Sequence, residues 1–296
     1  MLRLRSILLT AVAAFIWNCD SSGGTDLSSA AVLLSSSPSQ CTPTTTTTLP
    51  TTLTDNSSCP GAVNDSTDDL GFGGPTCVTS IAAEAPCWMK TNFHCVTVTV
   101  EGSNYVITTN DKPPHKSSYY SVASGYNEAI DSAGGFHTNP NTILSQNITM
   151  TIPTTPTVTD CTQSNAGTDS VGVTTLGVVI FNNQAAPGDS FATEYYTMDP
   201  SQGHPQNTGK YHYHTEPYKI TNDDGSMVGI MLDGFPIYGK KNQSGSYPTL
   251  DSTTHTTSCT PTEFPDGTYC YHVENNTGLN GYIIGSYFKG TPGSVD

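Results

Sequence analysis

Residues 96–100 read VTVTV and alternate an apolar β-branched side chain with threonine at every step. Side chains of a strand point to opposite faces in turn, so this alternation predicts a half-buried β-strand. Residues 105–108, 147–152 and 173–181 carry further strand patterns. The chain also has 27 Gly and 20 Pro among 296 residues, and both residue types interrupt helices. The sequence therefore predicts an all-β fold, an antiparallel sandwich or barrel with long Gly/Pro loops.

The charge balance excludes one class of partner. The chain has 10 Lys and Arg against 25 Asp and Glu, for a net charge of −15. A protein that binds a nucleic acid duplex needs a basic surface that displaces the counterions of the phosphates. We therefore expect no nucleic-acid partner.

The first residues have the pattern of an export signal. Arg3 and Arg5 precede an apolar run over residues 7–17, which is too short to span a membrane. Cys19 follows at once and leads into a Ser/Gly stretch, which resembles the processing site of bacterial lipoproteins. We predict a signal peptide over residues 1–18, lipidation at Cys19 and a membrane-anchored protein in the periplasm or on the cell surface. A plain signal peptide that releases a soluble secreted protein is the alternative.

Composition divides the exported part into three segments. Residues 19–58 are rich in Ser, Thr and Pro and cannot bury a core, so they are predicted to form an extended tether. Residues 59–95 hold four cysteines and are predicted to be a loop-rich segment pinned by disulfides. Strand patterns fill residues 96–296, which are predicted to form one β domain.

The number of cysteines agrees with export. The chain has nine, and eight remain once Cys19 is set aside for the lipid. An even number in an exported protein predicts disulfide bonds, whose connectivity the sequence leaves open. Cys259 and Cys270 lie eleven residues apart, and this pair is the one we favour.

The C-terminal half contains similar stretches. Residues 177–183, GVVIFNN, resemble residues 229–235, GIMLDGF, and residues 285–290, GSYFKG, form a weaker third match. Residues 211–214 read YHYH, and residues 269–272 read YCYH. These stretches predict an internal repeat of about 50 residues whose copies pack about a pseudo-twofold axis.

The two YHYH-like stretches also predict a metal site. His212 and His214 lie two residues apart and share one face of a strand, where two imidazoles can bind one ion. His272 takes the place of His214 in the second stretch, so we expect it to converge with them, with His204 or His115 completing the ligand set. Imidazole suits several transition metals, and copper or zinc is expected here.

Three further residues are expected to support these ligands. Asp233 lies among apolar residues and is predicted to orient an imidazole, while Tyr211 and Tyr213 alternate with the histidines. A tyrosine and histidine alternation is also typical of a half-exposed structural strand, and an aspartate in the position of Asp233 is equally typical of a turn cap. The sequence leaves both readings open.

Five stretches together carry a resemblance to a known family. They are YHYH at 211–214, LDGFPIYG at 232–239, TNDKPPH at 109–115, NPN at 139–141 and GHP at 203–205. They closely resemble the YHYH-domain family of exported proteins, and the resemblance extends over about residues 95–292. It departs from the family pattern at Asp111, where a glycine is usual, at Cys270, and near Ser201, where a cysteine is usual. The resemblance implies the fold and export but no reaction.

The expected function is therefore an exported, lipid-anchored protein that binds a transition metal through histidines. A metal-dependent hydrolase or oxidase is the first alternative. The second is a metal-free surface module for binding or adhesion, since 15 tyrosines leave a carbohydrate or surface partner open.

Overall fold

The computed structural model describes residues 59, 61–276 and 281–296, without the side chains of residues 160–162. The predicted signal peptide over residues 1–18, the lipidation site Cys19 and the tether over residues 19–58 lie outside the described residues. Within the described part of the chain, no helix is long and apolar enough to cross a bilayer.

Strands dominate the described residues. They are β1 (Val63–Asp68), β2 (Cys77–Ile81), β3 (Thr97–Glu101), β4 (Asn104–Thr109), β5 (Ile148–Pro153), β6 (Val158–Ser164), β7 (Ser170–Thr174), β8 (Val179–Phe181), β9 (Gly203–Pro205), β10 (Tyr211–Tyr213), β11 (Met227–Met231), β12 (Pro236–Tyr238), β13 (Thr256–Cys259), β14 (Thr268–His272), β15 (Tyr287–Gly290) and β16 (Ser294–Val295). The helices are short: α1 (Cys87–Asn92), α2 (Phe191–Glu194) and the 3₁₀ turns Val122–Ser124, Ala133–Gly135 and Tyr195–Thr197.

The VTVTV stretch builds the centre of a six-stranded sheet with the order β1-β2-β3-β4-β5-β16. β3 and β4 form a hairpin in which Val98 pairs with Ile107. Gly102 makes the tight turn at a φ of 60°, a conformation that glycine adopts without strain. Val98 and Ile107 are each 1% exposed, so the alternating side chains do face the core.

A second sheet has eight strands in the order β13-β14-β12-β11-β7-β8-β10-β9. One hydrophobic core contains residues from both sheets, and β15 and β6 form a separate two-stranded ribbon. The predicted all-β, sandwich-like fold is confirmed. The pairing is mixed rather than purely antiparallel, because β2–β3, β8–β10 and β12–β14 run parallel.

Disulfides hold the cysteine-rich segment and one edge of the large sheet. Cys59 joins Cys87, Cys77 joins Cys95, and Cys259 joins Cys270, the pair favoured from the sequence. The segment over residues 59–95 is less loop-like than expected, because it contains β1, β2 and α1. Trp88 of α1 packs edge-on against Tyr105, which inserts this helix into the core.

The predicted repeat of about 50 residues, which aligns the stretches that begin at Gly177, Gly229 and Gly285, is not confirmed. Gly177 lies in the turn between β7 and β8, whereas Gly229 lies inside β11. Gly285 precedes β15, which belongs to the ribbon and not to the large sheet. A glycine followed by an apolar run occurs both in tight turns and in buried strands, so this pattern cannot fix the alignment.

The large sheet has a different internal symmetry. Each half contains an antiparallel pair, then a parallel pair, then an antiparallel pair, and the halves meet at β7 and β11. Val173 pairs with Ile230 at this junction, with Gly229 opposite Thr174 and Met231 opposite Gly172. The register relates positions 57 residues apart, such as 172 and 229, and places a pseudo-twofold axis at the Val173–Ile230 pair.

Equivalent turns follow β7 and β11. The N–H of Gly177 donates to the carbonyl of Thr174, and the N–H of Gly234 donates to the carbonyl of Met231. Both glycines have positive φ, 71° and 88°. These turns lead into β8 and β12, which therefore occupy matching places in the two halves.

The close packing of β7 and β11 leaves no room for a larger side chain at Gly229. A Cβ at Gly229 would lie 2.1 Å from the carbonyl oxygen of Val173. We therefore expect Gly229→Ala to lower the free energy of unfolding by about 1–3 kcal/mol, the usual cost of overpacking. Urea unfolding monitored by circular dichroism measures it.

Gly61→Ala is the matched control, since a Cβ there meets nothing within 4 Å. Equal stability of the two variants would contradict close strand packing at Gly229.

Candidate metal centre

Two short strands at one end of the large sheet carry the central histidines. His204 of β9 pairs directly with His212 of β10. The alternation of β10 places His212 and His214 on one face and Tyr211 and Tyr213 on the other. The imidazoles of His204, His212 and His214 are 1%, 2% and 2% exposed, so this face is buried.

The opposite face of β10 is anchored by a buried carboxylate. The hydroxyl of Tyr211 donates to both carboxylate oxygens of Asp199, at 3.0 and 2.9 Å. The N–H groups of Ser201 and Gly203 also donate to this carboxylate, and so does the hydroxyl of Ser117. Asp199 therefore fixes the turn that leads into His204.

His115 belongs to the tyrosine face and not to the histidine cluster. Its Nδ1 donates to the carbonyl of Lys116 at 2.7 Å, and its Nε2 accepts from the hydroxyl of Tyr213 at 2.6 Å. Burial lowers the pKa of His115 to about 4, so it is neutral. Tyr211 and Tyr213 thus hold Asp199 and His115 and do not contact the imidazoles of the cluster through their hydroxyl groups.

Four potential ligands converge on the buried face of β10. Glu194 of α2 joins His204, His212 and His214, and one ligand atom from each lies within 4.8 Å of the others. The Nε2 atoms of His212 and His214 are 3.1 Å apart. The carboxylate Oε1 of Glu194 lies 3.5 Å from Nε2 of His204. Among the described residues this is the one such group of three or more His, Cys, Asp or Glu.

The hydrogen bonds at Nδ1 determine the tautomer of each imidazole. Nδ1 of His212 lies 3.2 Å from the carbonyl of Lys210, and Nδ1 of His214 lies 2.6 Å from the carbonyl of Asn182. A carbonyl only accepts, so both Nδ1 atoms carry the hydrogen. Both Nε2 atoms therefore present lone pairs.

His204 reaches the same tautomer through a hydroxyl relay. Thr197 Oγ1 donates its hydrogen to the carbonyl of Glu194 at 2.8 Å and lies 2.7 Å from Nδ1 of His204. Nδ1 of His204 is therefore the donor, and its Nε2 has no hydrogen-bond partner among the described residues. Three Nε2 lone pairs thus face one another beside a carboxylate.

Aromatic packing fixes the orientation of two of these rings. Phe181 stacks on His212 with a centroid distance of 3.7 Å and an interplanar angle of 14°. Phe191 meets His214 edge-on at 5.5 Å. The cluster lies in the wall of a cavity of about 570 Å³, which Asn139 and Asn141 also line.

Burial sets the charge state of the cluster. It lowers the pKa of His204 to about 3, with a further contribution from His214, and that of His214 to about 4. The pKa of His212 is also well below its ordinary value, because of burial and the two neighbouring imidazoles. Burial raises the pKa of Glu194 to about 7. All three imidazoles are therefore neutral at neutral pH.

The structure places His272 and Asp233 away from this cluster. β14, which carries His272, is separated from β10 by four intervening strands. Four intervening strands make five strand-to-strand spacings, and at 4.7–4.9 Å each, β14 and β10 are about 24 Å apart. Asp233 accepts from the hydroxyl of Tyr271 at 2.6 Å and from the N–H of Gly290 at 2.8 Å, and its hydrogen bonds include no imidazole.

Sequence reasoning missed three contributors to the cluster. Glu194 lies ten residues before His204, and no motif spacing connects them, because a turn and a helix separate them. Asn182 contributes a backbone carbonyl, which no side-chain pattern reveals. Thr197 acts through its hydroxyl on Nδ1 of His204. The one available signal for Glu194 was its place in an otherwise uncharged stretch between Asp189 and Asp199.

Comparison with known proteins gives one match, to a protein family. Residues 149–254 match the family model described as YHYH protein. The chain contains a YHYH domain. No curated protein and no solved structure matches the chain. The matched part of the YHYH domain includes all four residues of the cluster, whereas His115 and His272 lie outside it.

The shifted pKa values predict an unusual titration. In the metal-free protein, His204 and His214 should stay neutral from about pH 7.5 to pH 5, because their pKa values lie well below the ordinary 6.5. Proton NMR of the imidazole carbon-bound hydrogens should show no titration of these two residues in that range. The same protein unfolded in urea is the control, in which all histidines should titrate near 6.5. Midpoints near 6.5 in the folded protein would contradict the buried, neutral cluster.

Proposed function

We propose that the YHYH domain binds one transition metal ion, copper or zinc, through His204, His212 and His214, with Glu194 as a fourth ligand. The observation that carries this proposal is the 3.1 Å contact between the Nε2 atoms of His212 and His214. Both atoms present lone pairs, and two lone pairs repel at this distance. A shared cation turns this repulsion into attraction.

The dimensions of the cluster suit such an ion. Bonds of 2.0–2.1 Å in a tetrahedral site place neighbouring nitrogens about 3.3–3.4 Å apart. The separation of 3.1 Å between the Nε2 atoms is close to this value. Glu194 and His204 lie 3.5 Å apart at their nearest ligand atoms. The carbonyls of Lys210 and Asn182 supply the hydrogen bonds that orient a metal-binding imidazole.

An exported, lipid-anchored location completes the proposal. The YHYH domain and three disulfides are consistent with an extracellular protein, because cytosolic thiols stay reduced. The anchor at Cys19 rests on the pattern of the first 24 residues alone.

A metal-dependent hydrolase or oxidase is a second candidate, which one observation favours. The cavity of about 570 Å³ beside the cluster falls in the size range of small-molecule sites. In such an enzyme the three histidines hold the ion and Glu194 stays unbound. With a pKa of about 7, its carboxylate accepts a proton from a water or a substrate hydroxyl in the cavity.

Removing two ligands tests metal binding directly. The chain purified without a His-tag should contain one copper or zinc per molecule, and His212→Ala/His214→Ala should contain none, because one imidazole and one carboxylate remain. Elemental analysis and calorimetric titration measure this. His137→Ala is the matched control, since His137 is exposed and does not belong to the histidine cluster. Full metal content in the double variant would show that the ion binds elsewhere and that the YHYH strand is structural. A parent chain without metal would favour the metal-free adhesion module.

The same titration of Glu194→Gln separates the two candidates. A ligand role predicts an affinity loss of about 10–100-fold, the range seen when supporting groups of a metal site are removed. Unchanged affinity would remove Glu194 from the ligand set, as the enzyme candidate requires.

Replacing Cys19 tests the anchor. In a bacterial host, the wild-type chain should partition into the detergent phase, and Cys19→Ser should move to the aqueous phase, because the thioether cannot form. Cys41→Ser is the matched control, as it removes a thiol outside the processing pattern. Detergent partitioning of Cys19→Ser would contradict lipidation at this residue.

A further inference from the structure

The pseudo-twofold axis of the large sheet relates the metal centre to a second cavity. This cavity measures about 370 Å³ and lies beside β13 and β14, at the opposite end of the sheet from β9 and β10. Tyr213 of β10 pairs with Ile180, and Tyr271 of β14 pairs with Ile237 in the same parallel sense. The two cavities therefore occupy equivalent places in the two halves.

The lining of the second cavity follows this equivalence. Cys270 stands in the place of His212, and Thr257, its partner across β13 and β14, stands in the place of His204. His272 stands in the place of His214. The cavity is lined by His272, Thr257, Cys259, Cys270 and Tyr238, among others.

His272 keeps the orientation of a ligand. Its Nδ1 lies 2.9 Å from the carbonyl of Gly239, which is equivalent to the carbonyl of Asn182 that holds His214. Nδ1 is thus the donor, and Nε2 presents a lone pair. His272 is 1% exposed, and its Nε2 has no hydrogen-bond partner among the described residues. A buried acceptor without a partner costs free energy, and a water or an ion in the cavity can satisfy this atom.

Cys259 and Cys270 decide what His272 can bind. Their disulfide leaves His272 as a single ligand, and one imidazole does not hold a metal ion. A dithiol can reduce this disulfide. The S–S bond breaks as it accepts two electrons and two protons from the dithiol, which leaves two thiols on the protein and turns the dithiol into a disulfide. Two sulfurs and one imidazole are a ligand set for zinc, copper(I) and other thiophilic metal ions.

We propose that Cys259, Cys270 and His272 form a second metal site, which the disulfide closes and reduction opens. On binding, the two thiols release their protons to solvent and both thiolates contact the ion. Cys259 lies on the edge strand β13 and is partly exposed, so a dithiol can attack its sulfur, whereas Cys270 is fully buried. This site uses none of the ligands of the first one.

Cadmium binding to the full chain tests the proposal in the His212→Ala/His214→Ala background, where the first cluster has lost two ligands. Oxidised protein should bind no Cd²⁺. After reduction with a dithiol that is then removed anaerobically, this chain should bind one Cd²⁺ more than the Cys259→Ser/Cys270→Ser variant in the same background, with a stronger ultraviolet sulfur-to-metal absorption band. The thiols released from Cys59–Cys87 and Cys77–Cys95 are common to both chains. His272→Gln should weaken this binding at least about tenfold. Because that background lacks the first site, failure of the proposed function leaves this outcome unaffected.

Cys259→Ser/Cys270→Ser in the same background is the matched control, because it keeps every other cysteine. After reduction it should bind one Cd²⁺ fewer than the parent chain and show a weaker absorption band, because only the thiols of the other disulfides remain. Alkylation of the reduced parent chain gives a second measurement that needs no substitution at the cysteines, and it should abolish the band. No Cd²⁺ uptake after reduction, or equal uptake in the double serine variant, would overturn the proposal.

Discussion

The close antiparallel pairing of β7 with β11 is the constraint on which the large sheet depends. Gly172 lies against the carbonyl of Ile230, and Gly229 lies against the carbonyl of Val173, so each half presents a glycine to the backbone of the other. This approach aligns the two halves about the Val173–Ile230 pair. On each side of this junction the strands follow in the same order, first an antiparallel pair, then a parallel pair and then an antiparallel pair.

The histidine cluster lies on β9 and β10, the last two strands at one end of the large sheet. β9 and β10 are short strands, and their backbone pairing brings His204 opposite His212. The side chains on the two faces of β10 have different contacts. Tyr211 and Tyr213 hold the strand in place through hydrogen bonds with Asp199 and His115. His212 and His214 face the cavity. The alternation of tyrosine and histidine in the YHYH pattern therefore has a physical meaning, since the tyrosines position the strand and the histidines supply imidazoles to the cluster.

The two ends of the sheet share the hydrogen bond that orients one histidine and differ in the residue two positions before it. In each half a backbone carbonyl accepts a hydrogen bond from Nδ1 of the imidazole, His214 in one half and His272 in the other. The neighbouring position carries His212 in one half and Cys270 in the other, and Cys270 is bonded to Cys259. One end of the sheet thus holds three imidazoles close together, while at the other end the sulfur atoms are joined to each other.

The sequence by itself determined the fold class, the strand at VTVTV and the shared face of His212 and His214, and it favoured the Cys259–Cys270 pair, because these depend on period-two alternation and on short separations along the chain. Only the tertiary structure decided which distant residues meet. Glu194 and His204 join the cluster through turns with no regular period, whereas His272 is kept apart by four strands. Strand order also set the alignment of the two halves, since similar apolar runs fit several alignments equally well and only hydrogen-bonded register selects one.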